Sequence, residues 1–144
     1  SMLAGDAVFI ARARKNRKMV GGGMRQAGVL AAAGIVALET MIDRLADDHG
    51  NARALAEALA DVAGIEVDLS TVETNMVVFD IGRLEIDSDQ FAAELSAEGV
   101  RVSTRPPHGM RAVTNRHFRH EDVERTVDAI KAVCERHLAP CRHA

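Results

Sequence analysis

The hydrophobic period first changes at Gly64, and that change limits the fold more than any other feature of these 144 residues. Before it, apolar residues recur at three- and four-residue spacing, the mark of helices with one buried face. After it, segments appear in which apolar residues alternate with polar ones or gather in short β-branched runs, which is strand behaviour, with helical segments between them.

In the first half, Asp6 is placed to N-cap a helix over "AVFIARARKNRKM", and the glycine run Gly21-Gly22-Gly23 ends it. From about Arg25, the residues Val29, Leu30, Ala33, Val36, Ala37, Leu38, Met41, Ile42 and Leu45 share one helical face. "DDHGN" interrupts the pattern at Gly50, and Ala52, Leu55, Ala56 and Leu59 resume it. A glycine inside a helix costs about 1 kcal/mol against alanine. One bent helix and two helices meeting at Gly50 therefore both fit.

The second half reads strand "IEVDL", strand "NMVVFDI", helix "DSDQFAAELSAEGV", strand "RVSTRP", strand "GMRAVTN" and helix "HEDVERTVDAIKAVCERHL". Asp87 or Ser88 starts the first of these helices and Gly99 ends it. Val123, Val127, Ile130 and Cys134 form the buried stripe of the second. The order β-β-α-β-β-α predicts a small antiparallel or mixed sheet with helices on one face, an α+β arrangement within the α/β class. The boundary is expected at residue 50, with a helical segment over 1–50 and a small α+β domain over 51–144. The tail "APCRHA" should fray.

Composition removes several functions. Aromatic residues make up 3%, with no Trp or Tyr, so faces on which bases could stack are lacking. The net charge of −3 gives no general pull toward nucleic acid or acidic membranes. No apolar run approaches membrane-spanning length, and the N-terminus lacks signal-peptide order. Cys134 and Cys141 form no metal spacing with nearby histidines and read as reduced thiols of a cytoplasmic protein. No metal site, nucleic-acid partner or membrane partner is expected.

Two places carry candidate chemistry. In "RKMVGGGMRQ" three glycines stand between Lys18 and Arg25, just before a helix. Glycines let backbone amides approach an anion, and a helix N-terminus adds positive potential. An anion-binding turn and a flexible connection between helices both fit this stretch. Arg111 stands in an otherwise apolar strand, where a guanidinium could clamp a carboxylate bidentately or could point to water from an edge. Arg105 is a weaker version of the same pattern. His49, His108, His117 and His120 complete no triad, and His120 or Glu121 reads as a cap for the last helix.

The segment from "GDAVFIARARKNRKMVGGGMRQAGVLAAAGIVALE" through "RLADDHGNARALAEAL" to "VETNMVVFDI" resembles the C-terminal part of the threonine aldolases, and the likeness continues through "MRAVTN" to about residue 138. These are pyridoxal-phosphate (PLP) enzymes of fold type I. The resemblance implies that Lys18 and Arg111 bind the amino-acid substrate, Arg111 through the α-carboxylate. It implies that Gly21, Gly22, Gly23 and Arg25 lie at the cofactor phosphate or a subunit boundary, and that the intact enzyme is a homo-dimer or tetramer. Asn115 stands where the family usually has histidine, with His117 two positions on. The family's Schiff-base lysine lies in a motif whose following residues correspond to "SMLAGD" here. Residues 1–50 would then continue from a PLP-binding large domain not included in this sequence. The chain alone is expected to hold no PLP covalently and to be inactive. Alternatives are another PLP-dependent β-eliminating lyase, a hydroxyamino-acid aldolase of different preference, or a non-catalytic oligomerisation module, for which the Ala/Leu-rich helix offers apolar surface.

Overall fold

A computed structural model describes residues 3–138. Residues 1–2 and 139–144, including Cys141, lie outside the described region. The chain divides into two compact units, Ser1–Ile42 and Asp43–Ala144.

The first unit holds two helices, α1 (Ala7–Met19) and α2 (Gly28–Thr40). Asp6 caps α1 by accepting the Phe9 N–H at 2.8 Å. Helix α2 is apolar on every side, yet none of its residues is buried within the unit. Val29 is 74% exposed and Leu30 65%. An all-round apolar helix is a helix meant for an interior.

The second unit begins with α3 (Leu45–Ala60), so the helical pattern breaks at residues 41–44. Gly50 does not interrupt it. Its position opens on free space and α3 runs through it, because Ala52, Leu55, Ala56 and Leu59 are buried and hold the helix down. Tertiary packing here outweighs the propensity cost.

Four strands follow the predicted order: β1 (Glu66–Val67), β2 (Met76–Asp80), β3 (Ser103–Arg105) and β4 (Gly109–Val113), with α4 (Ser88–Ala97) and α5 (Glu121–His137). The sheet order is β1-β2-β4-β3 and every pairing is antiparallel. Strand β1 is shorter than "IEVDL" suggests. Asp68 accepts hydrogen bonds from the Ser70 N–H and hydroxyl at 2.9 and 2.6 Å and turns the chain into a 3₁₀ helix over Leu69–Thr71.

Alternation sorts the sheet into two faces. Val77, Phe79, Met110 and Ala112 point into the core, while Met76, Val78, Asp80, Arg111 and Val113 face the other way. Helix α3 packs on β1 and β2, α4 packs on β3, and α5 packs on both α3 and α4. Helix α4 has the ends its sequence announces. Asp87 accepts the Asp89 and Gln90 N–H groups at 3.0 and 2.8 Å, and Gly99 closes it at φ 82°.

Cys134 lies in the buried stripe of α5, which also includes Thr126 and Val133. Burial is the main cause that pushes its thiol up to about 11, and the charge of Glu135 adds to it. Only the thiolate attacks alkylating agents, so native Cys134 should be almost inert near pH 8. Peptide-mapped iodoacetamide labelling is expected to be slow at Cys134 in buffer and rapid in urea. Equal rates would show that the stripe opens readily.

Candidate functional site

The glycine run is first of all a helix terminus. Gly21, at φ 80°, takes the left-handed conformation that ends α1. Its N–H donates to the Lys18 carbonyl at 3.2 Å, and the Gly22 N–H donates to the Arg17 carbonyl at 2.8 Å. Those two bonds make a Schellman motif. The exposed-amide argument therefore falls to Gly23, whose N–H has no acceptor among the described residues. A side chain at Gly23 would meet nothing within 4 Å, so the turn is open there.

Gln26 then adopts φ 52°, and Ala27, the N-cap of α2, supplies no side-chain cap. Of the first amides of α2, the Val29 N–H donates to the Gln26 carbonyl at 3.2 Å, while those of Gly28 and Leu30 have no acceptor among the described residues and are left to solvent or to an anion. Lys18 and Arg25 are exposed, and among the described residues neither has a carboxylate partner. Lys18, the three glycines and Arg25 thus form one cationic, amide-bearing stretch in the first unit.

Arg111 belongs to the second unit. Strand β4 is interior to the sheet, with β2 on one side and β3 on the other, so Arg111 is not an edge residue. It stands opposite Val78 on β2 and Ser103 on β3. Its side chain leaves on the face not covered by the helices. The neighbours there are Met76, Val78 and Val113, which are 46%, 38% and 45% exposed, together with Ser103 directly across on β3 and Asp80 diagonally on β2. No carboxylate pairs with Arg111 among the described residues. A guanidinium on a largely apolar face, unpaired with the diagonal Asp80, keeps its fork of donors free for a planar anion. Arg105, on edge strand β3, is its diagonal neighbour on the same face.

The histidines separate. His49 is exposed on α3. His117 donates its backbone N–H to the Asn115 side chain at 3.0 Å, so Asn115 closes a local turn. His120 precedes α5 without making a side-chain cap. The carboxylate that helps there is Asp122, which accepts the Arg119 N–H at 2.8 Å. His108 lines an open cavity of about 760 Å³ with Glu66, Asp80, Arg105 and Pro107, and its ring Nδ1 is buried without a partner.

Sequence reasoning missed a buried polar knot at the far end of β4. Thr114 donates its hydroxyl to the Asp48 carbonyl at 2.6 Å, and Asn75 donates its side-chain amide to the Thr114 carbonyl at 2.7 Å. Thr114 is 1% exposed and Asp48 4%. Arg44 grips the Asp48 carboxylate with two bonds, at 2.6 and 3.0 Å. The available signal was the pair "ETN" and "VTN", polar residues bordering two apolar strands, and the Arg44/Asp48 spacing of four.

This helix-on-sheet architecture recurs in solved structures. The cysteine desulfurase CsdA of Escherichia coli superposes with a TM-score of 0.64 at 18% identity, over 80% of this chain and 32% of that one. The fold is that of the C-terminal part of fold-type-I enzymes, as expected. The family model described as Beta-eliminating lyase matches residues 1–81, and the chain belongs to that family. Among its relatives are "Probable low-specificity L-threonine aldolase 2" of Arabidopsis thaliana, 36% identical over 134 residues, and "Low specificity L-threonine aldolase" of Escherichia coli (strain K12), 40% identical over 106. The first alignment covers 92% of this chain and 38% of the relative; the second covers 74% and 30%. The resemblance read from "RKMVGGGMRQAGVLAAAG" is thereby shown. The chain spans less than two fifths of the length of these relatives.

Proposed function

We propose that this chain is the substrate-orienting part of a PLP-dependent aldolase that cleaves threonine or allo-threonine to glycine and acetaldehyde. The observation that carries this reading is Arg111, a guanidinium unpaired among the described residues, on an interior strand and aimed away from the core in a chain of this family. An α-carboxylate is the planar anion such a fork receives in an amino-acid enzyme.

The residues fit the cofactor in part. A phosphate is a dianion, and Arg25, the Gly23 amide and the free Gly28 and Leu30 amides of α2 are donors suited to it, with Lys18 beside them for the substrate. In the intact enzyme these groups would hold the phosphate and the substrate carboxylate, with residues shared across a dimer or tetramer. When bound, PLP supplies an electron sink for the carbanion left by Cα–Cβ cleavage. Residues of this chain bind and orient. The covalent lysine is not expected among Lys15, Lys18 and Lys131, which lie on α1 and α5 and outside the motif that the resemblance implies for it. A nucleophilic amine tuned to form a Schiff base is normally desolvated or set beside another cation.

Two measurements test the reading. Mixed with PLP and desalted, the 144-residue chain should retain no visible absorption band; retention would place the covalent lysine here. A complete lyase containing this segment should release acetaldehyde and glycine from threonine. Release of ammonia and pyruvate from serine, without acetaldehyde from threonine, would favour a β-eliminating lyase instead.

A further inference from the structure

We propose that Thr114 and Asn75 are positioning residues for Arg111, setting where its guanidinium meets a carboxylate. This rests on the reading that Arg111 is the carboxylate clamp.

The argument starts from the period of a strand. Side chains alternate faces, so a slip of one residue between β2 and β4 would send Arg111 into the core and Met110 out. A smaller shift would leave the face unchanged and displace the fork along the strand. Bidentate recognition tolerates little of that, because both N–H donors must meet both oxygens. Something must therefore fix β4 along its length.

At one end the short connection between Arg105 and Gly109 does this. Those residues face each other in the register, and a Cβ on Gly109 would sit 2.7 Å from the Arg105 carbonyl. At the other end, three residues beyond Arg111, the strand gives way to Thr114. Its N–H donates to the Asn75 carbonyl at 2.9 Å, and the Asn75 side chain returns a bond to the Thr114 carbonyl at 2.7 Å. Asn75 directly precedes β2, so the pair locks the starting register Met76 opposite Val113. The Thr114 hydroxyl then anchors both strands to α3 through the Asp48 carbonyl. Asp48 cannot drift, because Arg44 holds its carboxylate at two points.

The sheet needs no such device for burial alone. Val77, Phe79, Met110 and Ala112 already fix which face is inside. Hydrophobic packing chooses the face, whereas directional bonds choose the position along it. The β2–β4 ladder supplies such bonds along the strand, and the buried polar knot adds to them at its end and ties that end to α3.

Thr114→Val keeps the shape and removes the hydroxyl. The Asp48 carbonyl lies within α3, so its helical bond remains. Asn75→Asp replaces a donor with a repelling oxygen. Thr114→Ser restores the hydroxyl. Acetate is titrated into the full 144-residue chain labelled with ¹⁵N, reading the Arg111 Nε–Hε signal, and the melting temperature is recorded for each variant.

Thr114→Val and Asn75→Asp are expected to weaken the acetate response about three- to tenfold, the size of one lost hydrogen bond, with Thr114→Ser close to the parent. An unchanged acetate response in Thr114→Val and Asn75→Asp, with or without a lower melting temperature, overturns the proposal and leaves the knot as scaffold. The Arg111 reading is checked separately by backbone shifts around residue 111. If acetate moves them equally in Arg111→Ala and in the parent, the clamp assignment fails and this inference falls with it.

Discussion

Replacing Arg111 by alanine in the complete lyase should raise the dissociation constant for glycine by a factor of roughly 30 to 150, which corresponds to about 2–3 kcal/mol for lost charge-assisted hydrogen bonds. The expectation follows from the surroundings of the residue. Arg111 has no carboxylate partner among the described residues, so removing it breaks no internal ion pair. Its side chain lies on the uncovered face, so truncation leaves no cavity in the core. The effect should therefore appear in ligand affinity with little loss of stability. Arg111→Lys should recover only part of it, because an ammonium keeps the charge and loses the planar fork. Arg105→Ala provides the control. It removes a guanidinium from the same face one diagonal away, and should change glycine affinity by no more than roughly twofold, as surface substitutions outside a site do. In steady-state terms the Arg111 variant should raise KM more than it lowers kcat, since a clamp on the carboxylate would act before and during the reaction alike. Unchanged glycine binding in a natively folded Arg111→Ala would remove Arg111 from the site.

How far the sequence could be read depends on the range of the interactions involved. The order of elements in the second half was legible because each follows from local periodicity and local caps. Asp87 and Gly99 announce the ends of α4 through bonds that reach no more than five residues. Gly50 misled for the opposite reason. Its helix is held by Leu55 and Leu59 packing against distant elements, and no local pattern records that. Strand β1 shrank because one side chain, Asp68, competes with the ladder for backbone donors.

The candidate site shows the same division. Lys18, Gly23 and Arg25 are neighbours in sequence, so their shared stretch was visible, and the hydrogen bonds that end α1 were not. Local sequence therefore leaves Gly21 and Gly22 open to an anion-binding role, whereas their N–H groups serve the end of α1. Arg111 stood out as a charge in an apolar run. Its interior place in the sheet depends on the order β1-β2-β4-β3, which pairings far apart in sequence decide. The knot of Asp48, Asn75 and Thr114 joins residues separated by 39 and 66 positions. A contact of that span leaves no periodic trace.

The largest loss of stability is expected at Phe91. Its ring is fully buried on α4 and meets Phe79 of β2 edge-on, with centroids 6.5 Å apart and planes at 70°. With aromatic residues at 3% of the chain, this pair is the main aromatic mass available to the core of the second unit. Truncating a buried phenylalanine to alanine costs about 3–5 kcal/mol in transfer and cavity terms. A domain of this size has only about 5–15 kcal/mol to lose. Phe91→Ala should lower the melting temperature of the second unit by on the order of 15–30 °C. Phe91→Leu refills much of the volume and should cost far less. A double-mutant cycle with Phe79→Leu should give a coupling of about 0.5–1.5 kcal/mol for the edge-to-face contact. The consequence reaches the site through β2. Phe79 points inward one residue from Val78, which stands opposite Arg111, so a core that loosens under Phe79 loosens the floor from which the guanidinium rises. Acetate binding by Phe91→Ala should accordingly weaken at temperatures well below its midpoint. A Phe91→Ala chain that melts within a few degrees of the parent would show that the ring lies outside the cooperative core, and the link from packing to Arg111 would fail.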